Sequence, residues 1–92
     1  MRHHGSIAGV EWESDCDFVV YDPRRGVVAE CPDFSQAKKA LREKLAEANE
    51  HNVLSDLVIY RWSSGKWSVA VSPYDIQEWQ LRCDPYRVVR FP

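Results

Sequence analysis

The chain has 92 residues, a formal charge of −2 from 12 basic and 14 acidic side chains, and 45% hydrophobic residues. That length holds one domain with a modest core, and the charge balance argues against a generally basic nucleic-acid binder. No run approaches the ~18 apolar residues of a membrane helix, and the N-terminus lacks the apolar core of a signal peptide. A cytoplasmic protein with no membrane association is expected. Cys16, Cys31 and Cys83 are widely spaced, without a CxxC pair or zinc-finger spacing. They read as free thiols, a disulfide with one cysteine left over being the alternative.

In chain order, residues 1–9 are polar and carry His3, His4, Gly5 and Gly9. This segment resembles the remnant of an expression tag and is expected to be a frayed tail, leaving 10–92 as a single α+β domain. Glu11, Glu13, Asp15 and Asp17 then alternate, with Trp12 among them. If the segment is extended, all four carboxylates fall on one side. They lack the glycine and graded ligands of a calcium loop, so an acidic solvated edge, or a surface mimicking nucleic-acid charge, is the favoured reading, and Trp12 within the run makes it a candidate docking site for a basic partner.

Asp17–Tyr21 predicts a strand from its β-formers. Asp22-Pro23-Arg24-Arg25-Gly26 predicts a turn, Val27–Cys31 the returning strand, and Pro32 its end. Asp33 is then a helix N-cap with Gln36 three residues on. Phe34, Ala37, Ala40, Leu41, Leu45 and Ala48 recur with helical period, predicting a helix to about Glu50. Lys38, Lys39 and Arg42 lie in its first half and Glu43, Glu47 and Glu50 in its second, against the helix dipole.

Leu57–Trp62 and Trp67–Val71 predict a second hairpin around Ser63-Ser64-Gly65-Lys66. Ser72-Pro73 opens a helical turn or irregular link, the rival being a short strand over Ile76–Leu81. Tyr86–Phe91 predicts a last strand. The expected fold is therefore α+β: an antiparallel sheet of about four to five strands with one amphipathic helix on one face, in β-β-α-β-β-β order.

Alternation places Leu57 and Ile59 on one sheet face. Val58, Tyr60 and Trp62 fall on the other, and Trp67, Val69 and Val71 share a face of their strand. One helix covers one side only. The second side needs the C-terminal segment with Trp79, a second subunit or a protein partner.

Chemistry-bearing motifs are sparse. His51 is the one histidine outside the first nine residues and has no acidic orienter in sequence, so no catalytic residue is assigned. Phosphate loops are absent, and no metal or cofactor is assigned. The expected function is a non-enzymatic protein-interaction module of inhibitor, immunity or antitoxin type. Trp12, Glu13, Asp15, Tyr60, Trp62 and Trp67 are its candidate surface, and a protein partner or a homodimer its expected state. The alternative is a small nucleic-acid-binding domain using Arg24, Arg25, Lys38, Lys39 and Arg42, joined if the first turn lies near the helix start.

The stretch Phe18-Val19-Val20-Tyr21, Val27–Cys31, Pro32-Asp33-Phe34 and the helix to Leu45 resembles the front half of HicB-type antitoxin domains. The resemblance spans about 30 residues and rests on strand–turn–strand–helix order. It implies a small inhibitor- or antitoxin-like protein and assigns no residue a role. This chain lacks the glycine-rich stretch before the family's helix and its C-terminal DNA-binding element.

Overall fold

A computed structural model describes residues 2–51 and 53–83. Eight elements follow one another: β1 (His3–Ile7), β2 (Val10–Ser14), β3 (Phe18–Asp22), β4 (Gly26–Cys31), α1 (Phe34–Glu50), β5 (Val58–Ser63), β6 (Lys66–Val71) and α2 (Pro73–Cys83). Four of the strands form an antiparallel sheet in the order β4-β3-β5-β6, and β1 pairs with β2 in a separate hairpin. This is an α+β fold with α1 packed on one sheet face. The strand expected over Tyr86–Phe91 lies outside the described residues.

The helix forms where its period predicts. The Asp33 carboxylate accepts the Gln36 backbone N–H at 2.8 Å, closing the first turn. Ala37, Leu41 and Leu45 then point inward, meeting Val20, Leu57 and Ile59 of the sheet side. Ile76 of α2 completes this aliphatic core. The link after Pro73 is a full helix of 11 residues, which overturns the strand over Ile76–Leu81. Its start is capped by the Ser72 hydroxyl, which accepts the Asp75 N–H at 3.2 Å, and Pro73 occupies the first position, where no donor is required.

The second sheet face is covered by the chain's own N-terminus, where a frayed tail was expected. Ile7-Ala8-Gly9-Val10 is a two-residue hairpin turn with φ of 52° at Ala8 and 81° at Gly9, the backbone of a type I′ turn. It pairs His3 with Ser14, Gly5 with Trp12 and Ile7 with Val10. These residues form the inner face of the hairpin, while His4, Ser6, Glu11 and Glu13 form the outer one. Ile7 enters a second core with Val19, Tyr21 and Trp67, flanked by Trp12, Val27, Tyr60 and Trp62. The glycine that suggested disorder is a clearance: a Cβ on Gly5 would stand 3.0 Å from the Trp62 ring and 3.3 Å from Trp67.

One further correction concerns β6. The β5–β6 ladder pairs Tyr60 with Val69 and then Ile59 with Val71, leaving Ala70 as an extra residue. A one-residue bulge reverses which face the following side chain meets. Val71 therefore packs against the helix-side core, while Trp67 lies on the hairpin side; alternation alone had put them together.

Candidate functional site

The aromatic residues singled out from the sequence are brought together between the hairpin and the sheet, Trp67 buried and Trp12, Tyr60 and Trp62 half-buried. The His3 ring lies flat on Trp62, with centroids 4.9 Å apart and planes at 12°. Trp62 meets Trp67 edge-on at 5.1 Å. Tyr21 meets both Trp12 and Tyr60 edge-on, at 6.2 and 5.7 Å. Such edge-on pairs add to the area they bury. Burial, then the neighbouring Tyr21, push the Tyr60 hydroxyl above its usual range. The indole N–H groups of Trp12 and Trp67 are buried without a protein acceptor. Trp67 is only 6% exposed, so this layer is a second core and not an open docking face.

The alternating acids follow a different course. Glu11 and Glu13 share the outer hairpin face, and the alternation does not continue past β2 as one strand. Arg2 donates to Glu13 at 3.1 Å and to Asp15 at 3.5 Å. His4 Nε2 lies 3.0 Å from Glu11, and His3 Nε2 lies 2.7 Å from Asp17. Arg2, His3 and His4 thus supply a side-chain partner to every acid of the run. Trp12 points away from Glu13 and Asp15, into the layer beneath. Among the described residues no cluster of three His, Cys, Asp or Glu side chains is placed to hold a metal ion.

The five basic candidates separate into two groups. Lys38, Lys39 and Arg42 lie in the first half of α1, and Lys38 sits 4.8 Å above the Phe34 ring. Arg24 and Arg25 lie at the opposite end of α1. Arg24 pairs with Asp56 at 3.6 Å and Arg25 with Glu47 at 4.0 Å. The turn that carries them closes through Asp22, whose carbonyl accepts the Arg25 N–H and whose carboxylate accepts the Arg24 N–H. This geometry aims the tip at the helix C-terminus, so the two groups form no continuous basic patch.

An open pocket of about 220 Å³ lies at that end, between the β3–β4 turn, the last turns of α1 and the chain from Val53 to Leu57. Arg24, Arg25, Lys44 and His51 line it together with Asp22, Glu47 and Asp56, so its charges nearly cancel. His51 caps α1 here. Cys31 stands two residues before the other cap, Asp33. A helix of 17 residues separates them, about 25 Å at 1.5 Å per residue, so no Cys31–His51 pair forms. Burial, followed by the charges of Cys16, Asp33 and Glu30, holds the Cys31 thiol above its usual range, the reverse of an activated nucleophile.

A second groove, of about 370 Å³, runs between the first turns of α1 and the exposed side of α2. Phe34, Val71 and Trp79 supply its apolar surface, and Lys38, Asp75, Glu78 and Arg82 its rim. Phe34 is 38% exposed and is backed by Phe18 at 5.6 Å. Only Phe34's place in the helix pattern and Lys38's charge could be read from sequence; Trp79 joins them because the bulge at Ala70 and the cap at Ser72 direct α2 across this side.

Gln80 is a residue that sequence reasoning passed over. It is buried on α2, where its carbonyl accepts the Ser55 N–H at 2.7 Å and its amide donates to Asn49 Oδ1 and the Val53 carbonyl, each at 3.1 Å. Gln77 donates to the Ser55 carbonyl at 2.9 Å. Together they satisfy the backbone of the loop after α1, which carries no ladder of its own. A glutamine four residues after Ile76, on the same face of the helix, was the available signal.

Among the described residues no helix is long and apolar enough to cross a membrane. Comparison with protein-family models, with curated proteins and with solved structures finds no match to this chain.

Proposed function

We propose that this protein is a small non-enzymatic interaction module of the inhibitor, immunity or antitoxin kind, acting in the cytoplasm by binding another protein at the α1–α2 groove. The observation that carries this reading is the groove's make-up: an apolar strip of Phe34, Val71 and Trp79 inside a rim with both charge signs. Protein interfaces share that plan, and aromatic side chains dominate their energetics. The aromatic layer proposed from sequence is already filled by the hairpin, which supports taking the groove as the binding surface. The free thiols of Cys16 and Cys31 fit a reducing compartment.

The test is affinity capture from the native source with mass-spectrometric identification, using wild type and Phe34→Glu. A glutamate at the first helical position favours the dipole of α1, so loss of folding does not account for loss of binding. One stoichiometric partner retained by wild type and lost by Phe34→Glu is expected. No such partner, or one retained equally by both, contradicts the proposal.

A further inference from the structure

The two walls of the α1–α2 groove are charged differently. On α1, Phe34, Lys38 and Arg42 recur every four residues, so they lie along one stripe beside the apolar floor. Lys38 sits 4.8 Å above the Phe34 ring, which holds its ammonium at the groove. Arg42 is exposed one turn further on, about 6 Å along the axis. Ala46 follows at the same spacing, so the stripe carries no acid. Glu43 is next to Arg42 in sequence but about 100° further round the helix. Asp33 spends its carboxylate on the Gln36 N–H at 2.8 Å. Among the described residues neither Lys38 nor Arg42 lies within ion-pair distance of a carboxylate. The first turn of α1 has no acid, so its dipole adds to the same sign.

The acids of the opposite wall are already matched. Glu78 pairs with Arg82 at 2.8 Å. The Asp75 carboxylate accepts the Ser72 hydroxyl at 2.9 Å and lies in the first turn of α2, where the helix dipole favours it. The charge left over at the groove is therefore positive, on a chain whose total is −2.

Taking the groove as the binding surface proposed above, we infer that its occupant is an acidic amphipathic helix of another protein. Its apolar side chains lie on Phe34, Val71 and Trp79, and two of its carboxylates, one turn apart, meet Lys38 and Arg42. A helix spaces residues i and i+4 as α1 spaces its two cations, and an amphipathic helix in a groove is a recurrent mode of recognition. A nucleic-acid backbone fits less well. It offers the apolar floor no apolar face, and its phosphates would meet Asp75 and Glu78 on the far wall.

The experiment is fluorescence anisotropy with three labelled helical peptides. They share one leucine-rich face and differ in its flanks, which are glutamate, glutamine or lysine; a single-stranded oligonucleotide is the fourth probe. The glutamate peptide should bind at least about tenfold tighter than the lysine peptide at low salt, and lose most of that advantage at about 0.5 M salt. The double variant Lys38→Glu/Arg42→Glu should reverse the order. Equal binding of the three peptides, no binding, an order unchanged by the reversal, or tighter binding of the oligonucleotide overturns the inference. If the variant fails to fold, by circular dichroism, the peptide order and salt response of the native chain decide. Capture from the native source separates this inference from the reading beneath it. A partner lost by Phe34→Glu but kept by Lys38→Glu/Arg42→Glu overturns the acidic occupant and leaves the groove as the binding surface.

Discussion

The two faces of the sheet are covered by different means. On one side, a 17-residue helix buries Ala37, Leu41 and Leu45 on Val20, Leu57 and Ile59. On the other, a short hairpin buries Ile7 among Val19, Tyr21 and Trp67, with half-buried rings around its margin. The first core is built mainly of aliphatic side chains. The second depends on flat rings lying against places where a side chain is missing. A helix face is held by area; the hairpin face is held by shape, with two indole N–H groups buried without protein acceptors, a cost that area must offset.

The largest expected effect lies on the helix side. Leu41→Ala should cost about 3 kcal/mol, since a fully buried leucine leaves a cavity, and a denaturant melt reads it as a lowered midpoint. On the hairpin side the corresponding change is Gly26→Ala, which adds a methyl 2.5 Å from Trp12 at a residue with φ of 93°. About 2 kcal/mol is expected from overpacking and backbone strain together. Adding Trp12→Ala should remove the collision while leaving the strain, so the two changes sum to less than their separate costs. Strict additivity would show that Trp12 does not occupy that notch.

Smaller effects sharpen the contrast. Asp33→Ala removes the α1 cap and should cost about 1 kcal/mol, read in the same melts. Ala8→Asn puts a residue at ease with positive φ into the type I′ turn and should stabilise the fold by a few tenths of a kcal/mol. No gain there would argue against the hairpin turn. In alkaline solution each face has its own titrating group. The Cys31 thiol and the Tyr60 hydroxyl are both raised in the folded state, so each contribution is intact below the unfolded value. It falls away as pH rises beyond the ordinary 9.0 of cysteine and 10.0 of tyrosine. Cys31→Ala should flatten the first fall and Tyr60→Phe the second in pH-dependent melts.

The same contrast explains what the sequence discloses. The helix is legible because Asp33, Gln36 and six apolar positions agree over five turns. The β3–β4 and β5–β6 hairpins are legible through Pro23, Gly26 and Gly65. The N-terminal hairpin hides because its inner face offers His3, Gly5 and Ser14 where alternation looks for apolar residues, with only Ile7 buried and apolar. Its one clear signal, Ala8-Gly9 between two five-residue stretches, is weaker than an Asn-Gly pair. Bulges at Val28 and Ala70 are invisible to period-two counting, and the second of them moved Val71 to the other face. For the site, the rings of Trp12, Tyr60, Trp62 and Trp67 were read as a set, which the fold keeps. Their exposure was misjudged because the covering element was set aside. The groove could not be read, since Phe34 and Trp79 lie far apart in sequence and meet only through the course of α2.

The central claim is that residues 2–14 form the cover of the second sheet face. Proton NMR tests it most directly. The account predicts NOEs from the Trp12 ring to the Gly26 Hα and from the Trp62 ring to the Gly5 Hα, with the Gly5 resonance moved upfield by the stacked indoles. Random-coil shifts and absent cross-peaks for residues 2–14, in a protein whose α1 and four-stranded sheet are otherwise intact, would contradict it.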